Sequence, residues 1–159
     1  MRCRIGLVLT GLVMIGWSSA TAEAAPRPPT LPVKASPHSV ANFPCPRKPI
    51  STVDIEACEG QQLLQVDREF NKQAAVLWSV LDPPGRQEFS RAHAAWLTYR
   101  DQWCHLAARA YLGGTAAGVV AGQCQTTLTA AWVKEVKSTG SLYCQGKVRA
   151  GRYRQCPHS

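Results

Sequence analysis

The chain has 159 residues and a formal charge of +8, from 18 basic and 10 acidic side chains. That length suits one small domain and leaves about 100 residues for an ordered core once the tails are set aside. A core of that size excludes a large multidomain architecture and favours covalent staples.

Residues 1–24 read as a signal peptide. Arg2 and Arg4 open the segment, Ile5 to Trp17 is apolar, and Ala22-Glu23-Ala24 has the small-x-small pattern of a cleavage site. The apolar run is shorter than the ~20 residues of a membrane anchor, so no stable span is expected after cleavage. Processing would remove Cys3 and leave six cysteines: Cys45, Cys58, Cys104, Cys124, Cys144 and Cys156. An even count in an exported chain predicts three disulfides. Removing two Arg and one Glu leaves 16 basic and 9 acidic residues, a net +7. The expected location is periplasmic or secreted.

Residues 25–44 form a Pro-rich leader. Eight of the eleven prolines fall between Ala25 and Pro49, and no apolar period runs through them, so disorder is expected. The ordered domain is expected over 45–140. Its first helix starts near Ser51, where Ser51 and Asp54 make a weak capping box. Leu63, Val66, Phe70, Ala74, Leu77 and Leu81 recur at helical spacing. Asp82-Pro83 closes that helix and opens the next, since Asp is a good cap and Pro a good first residue. So short a connection forces two antiparallel helices.

The second helix carries Phe89, Ala92, Trp96, Tyr99, Trp103, Leu106 and Ala110 on one stripe, predicted to be buried. It stops at Gly113-Gly114. A third helix, with Val120, Cys124, Leu128, Ala131 and either Glu135 or Val136 on a weaker stripe, is expected to end at Ser138-Thr139-Gly140. Residues 141–159 then read as a basic loop with Lys147, Arg149, Arg152, Tyr153 and Arg154 between Cys144 and Cys156. The predicted class is all-α: a small disulfide-stapled antiparallel bundle of about three helices behind a disordered leader.

The order of motifs resembles the LprI-like lysozyme inhibitor family. The resemblance rests on His93-x-x-Trp96-Leu97-x-Tyr99-Arg100-Asp101-x-x-Cys104, on Asp67-x-x-Phe70-Asn71, on Tyr111-x-Gly113-Gly114 and on Cys124-x-x-x-Leu128-Thr129. It covers about Cys45 to Val136. The family usually has Gln at His93, Tyr at Ala74 and Arg at Trp132. The resemblance implies an envelope-located helical domain whose studied relatives inhibit lysozyme.

Candidate chemistry is sparse. Arg100 and Asp101 are neighbours and are not expected to face each other; Arg100 is expected to reach a carboxylate on another helix, Asp67 being the candidate. His38, His93, His105 and His158 show no metal-ligand spacing, and no two cysteines stand two to four apart as zinc usually requires. No metal and no cofactor is expected. The expected pairing is sequential, Cys45–Cys58, Cys104–Cys124 and Cys144–Cys156, with Cys58–Cys104 as the rival. No nucleophile elbow, P-loop or dinucleotide fingerprint is present, so no enzyme is expected. The leading expectation is an exported protein that occludes a muramidase cleft, through the 113–122 loop or the Cys144–Cys156 loop. The alternative is an envelope module that binds an acidic polymer or a partner protein through the basic loop. Export argues against nucleic acid.

Overall fold

A computed structural model describes residues 27–31 and 42–149. Three helices account for most of this chain: α1 over Thr52–Val80, α2 over Pro83–Arg109 and α3 over Ala116–Arg149. No strand occurs among the described residues.

Local chemistry sets the helix ends. The Ser51 hydroxyl accepts from the Asp54 amide at 3.1 Å, and the Asp54 carboxylate accepts from the Ser51 amide at 3.1 Å. The capping box is therefore complete. Asp82 caps α2, its carboxylate accepting from the Gly85 amide at 3.0 Å, with Pro83 in the first helical position. Across the turn, Arg86 Nε donates to the Trp78 carbonyl at 3.2 Å. Its guanidinium also lies 5.4 Å over the Trp78 ring, giving the last turn of α1, which has no basic residue of its own, the cation its dipole favours.

The ring contacts fix the topology. Phe70 stacks on His93 at 4.6 Å and Trp78 meets Phe89 at 6.5 Å, so α1 and α2 run antiparallel. Trp96 stacks on Trp132 at 5.5 Å and Cys104 bonds Cys124, so α2 and α3 run antiparallel. α1 and α3 are thus parallel, and they approach closely where α3 is small. A Cβ on Gly122 would sit 3.1 Å from the Glu59 Cβ, and one on Gly140 would sit 3.9 Å from the Leu77 backbone. The core gathers Phe70, Ala74, Leu77, Trp78 and Val80 of α1 and its C-cap Leu81 with Phe89 of α2 and Val133 and Val136 of α3. Each such side chain contributes about 1.5–3 kcal/mol on burial.

Four expectations are corrected. First, α3 does not stop at Gly140 but continues to Arg149. Gly140 is buried against Leu77, so it serves helix packing and not termination. The first part of the expected 141–159 loop is therefore helix; the rest lies outside the described residues. Second, the buried face of α2 is Gly85, Phe89, His93 and Cys104; of the expected stripe Phe89 is buried and Trp96 packs partly against the core, but the rest is not buried. Tyr99, Trp103 and Leu106 are exposed. Third, Arg100 pairs with its neighbour Asp101 at 3.0 Å and makes no ion pair with Asp67, because its side chain is long enough to reach the adjacent carboxylate. Fourth, part of the leader is docked. Leu31 joins the core group at 5% exposure, held by Asn71.

Candidate functional site

Both observed disulfides lie at one pole of the bundle. Cys45–Cys58 closes the start of α1, and Cys104–Cys124 ties the end of α2 to the start of α3. The sequential pairing thus holds for these two bonds, and the rival Cys58–Cys104 is ruled out. The Cys144–Cys156 pair involves Cys156, outside the described residues; Cys144 is half-buried on α3.

The turn between α2 and α3 projects from this pole. After Arg109 the chain leaves the helix in a series of tight turns, with the Leu112 amide bonded to the Arg109 carbonyl at 3.0 Å and Gly114 to the Tyr111 carbonyl at 2.8 Å. Leu112 has φ 49° and Gly113 φ 75°. A left-handed backbone is natural for glycine but costs a leucine about 1 kcal/mol. That strained leucine is also 95% exposed, beside a half-exposed Tyr111. The Cys104–Cys124 bond, with sulfurs 2.05 Å apart, holds both legs of the turn. Along α2 from the turn run Leu106, Trp103 and Tyr99, all more than half exposed, the last two stacked with centroids 6.4 Å apart. A fixed apolar tip therefore continues into an aromatic ridge.

Beneath the ridge lies a buried polar layer. Arg100 donates to Thr129 Oγ1 at 3.4 Å and lies 5.1 Å over the Trp96 ring. Trp132 Nε1 donates to His93 Nδ1 at 3.3 Å. His93 and Trp132 are the positions expected to carry Gln and Arg in the resembled family, so two of this chain's departures meet in one hydrogen bond. Burial, followed by the nearby Arg100 charge, pushes the His93 imidazole down to about 4. Burial also pushes the Asp67 carboxyl up to about 6, against the opposing pull of Arg100 and then Arg68. Asp67 Oδ1 and His93 Nε2 find no hydrogen-bond partner among the described residues. Arg100 thus reaches Asp67 through its field, not through an ion pair.

The other expected site residues scatter. Asn71 faces the leader. Gly113 and Gly114 shape the tip. Lys147 and Arg149 belong to the last turns of α3, and Arg152, Tyr153 and Arg154 lie outside the described residues. A cleft of about 250 Å³ at the opposite pole is lined by Leu77, Phe89, Ala92, Trp132, Val136 and Tyr143 among others. Among the described residues no group of His, Cys, Asp and Glu side chains is arranged to hold a metal. The apolar spacing of Tyr99, Trp103 and Leu106 predicts a core face, yet the ridge is exposed. The signal that corrects it was present: Cys104 must face its bonded partner, and Phe89, His93 and Arg100 share its side of the helix.

The sequence profile described as Lysozyme inhibitor LprI matches residues 45–136, more than half the chain. The chain belongs to the LprI lysozyme inhibitor family. The matched span takes in all of α1 and α2, both observed disulfides and the tip, and ends at Val136 within α3. No curated protein and no solved structure matches the chain. An LprI domain implies a lysozyme-inhibitor-like, non-enzymatic role. Its two disulfides suit an extracytoplasmic setting. Among the described residues no helix is long and apolar enough to cross a membrane.

Proposed function

We propose that this LprI-family chain acts after export as a muramidase inhibitor and that it occludes the enzyme's cleft with the α2–α3 tip. The observation that carries this reading is Leu112, a left-handed and almost fully exposed leucine on a turn held by a disulfide. Such a turn loses little conformational freedom on binding, and preorganisation of that kind favours affinity. Tyr111 and the Tyr99–Trp103 ridge add aromatic area of the kind that dominates binding surfaces. The target cleft works through two carboxylates flanking a glycosidic bond; filling it requires shape and exclusion of water, not chemistry from the inhibitor.

The test is a cell-wall lysis assay with several lysozyme types and the purified chain in excess. Wild-type protein is expected to suppress lysis by at least one type. Leu112→Gly is expected to weaken suppression about tenfold or more while leaving thermal stability equal or higher, because glycine relieves the left-handed strain. Unchanged inhibition by Leu112→Gly and Tyr111→Ala would remove the tip from the mechanism. Undiminished lysis with wild-type protein would remove the inhibitor reading itself.

A further inference from the structure

Asn71 makes two hydrogen bonds to one residue forty positions earlier. Its Oδ1 accepts from the Leu31 amide at 2.6 Å, and its Nδ2 donates to the Leu31 carbonyl at 2.9 Å. A primary amide presents a donor and an acceptor side by side, the complement of one extended backbone residue. The contact reads main chain and is indifferent to side-chain identity. Specificity comes from the second half of the contact. The Leu31 side chain is 5% exposed and packs into the core group that holds Phe70, Ala74 and Leu77. We propose that Asn71 and the slot beside it form a recognition site for an extended, leucine-bearing peptide, and that the chain's own residues 27–31 occupy it in cis.

The flanking sequence fits an extended ligand. Pro28 and Pro29 precede Leu31 and Pro32 follows it. A residue before proline is driven out of the helical region toward extended backbone, and prolines limit what the free segment can sample. The covalent connection does not force the docking. Thirteen residues, 32–44, separate Leu31 from Cys45, and Cys45 is bonded to Cys58 of α1. Asn71 lies about 20 Å further along that helix, whereas thirteen residues reach about 45 Å when extended. A connection of that length does not dictate the docking, so contacts hold the segment and the covalent link supplies only a high local concentration, on the order of millimolar. The folded unit therefore includes part of the leader, outside the 45–136 span of the family match. This site is on α1 and is independent of the tip; its failure would leave the inhibitor reading untouched.

Two measurements on the full mature chain test it. In amide hydrogen exchange by NMR, Leu31 is expected to be protected in the wild type. Asn71→Ala is expected to lose about tenfold or more of that protection, since two hydrogen bonds are removed. A Leu31 amide exchanging at the free-chain rate in the wild type overturns the proposal. For the second, wild type and Leu31→Asp, whose own segment cannot fill the slot, are titrated into an amidated peptide of residues 27–31 carrying an N-terminal fluorescein, and binding is followed by fluorescence anisotropy. Binding to Leu31→Asp but not to wild type supports the site. Binding to both equally, or to neither while Leu31→Asp keeps its helical circular dichroism, overturns it.

Discussion

Asp67→Asn is expected to change how stability depends on pH, and the change has a calculable size. The Asp67 carboxyl titrates near 3.8 in the unfolded chain and near 6 in the fold, chiefly because burial disfavours its charge. The folded state therefore holds the proton more tightly. That stabilisation is complete below about pH 3.8 and is lost as pH rises through about 6. The interval corresponds to about 3 kcal/mol. His93 works in the opposite sense. Its imidazole falls from 6.5 to about 4 in the fold, so its contribution is complete above pH 6.5 and lost as pH falls toward 4, again by about 3 kcal/mol. Over pH 4–6 the two slopes oppose and nearly cancel in the wild type. Asparagine has the shape of the protonated acid and does not titrate, so Asp67→Asn leaves the His93 slope uncovered. Relative to wild type, the variant is expected to gain about 3 kcal/mol between pH 3.5 and pH 7.5. Urea unfolding followed by circular dichroism at half-unit pH steps measures this directly. The midpoint difference is expected to grow by about 1–3 M urea across that range. Parallel midpoint curves for the two proteins would show that Asp67 is not desolvated and would refute the reasoning.

Three further outcomes are expected. Replacing Cys104 and Cys124 together by serine should cost about 3 kcal/mol, from the loop of twenty-odd residues that the bond closes; it should also abolish inhibition under conditions where α1 remains helical, as lysis assay and circular dichroism in parallel would reveal. Phe70→Ala should cost about 3–5 kcal/mol, since Phe70 is completely buried and stacked on His93; chemical denaturation reads the loss, and a cost below about 1 kcal/mol would contradict the assigned core. Ser51→Ala should cost about 1 kcal/mol through loss of the first-turn cap, seen as a drop of several degrees in Tm.

Much of the fold was legible in residue spacing. The α1 stripe and the Asp82-Pro83 junction both reappear in the structure, because each is a local signal that tertiary contacts reinforce. The face of α2 was not legible from hydrophobicity, since the side buried against its neighbours carries His93, Arg100 and Cys104. Rings, a cation over Trp96 and a disulfide make that face compact. An apolar period registers none of these. Gly140 misled for a related reason: a glycine that ends a helix and one that lets two helices touch are the same letter, and only the position of Leu77 tells them apart. The docking of Leu31 lay beyond the reach of any periodic pattern, as a single residue carries it. The tip was partly foreseen, in Gly113-Gly114, but its exposed leucine was not.

The placement of the two sulfur bridges has an implication for the order in which the molecule takes shape. The pole opposite them, around Val80, Phe89 and Val136, is packed chiefly from apolar side chains, and neither of these two bonds takes part in closing it. The bridged pole, which bears the strained leucine, acquires its geometry only where thiols are oxidised. A chain held in a reducing medium would thus lack both bonds that tie this pole together, while its apolar pole would already be packed.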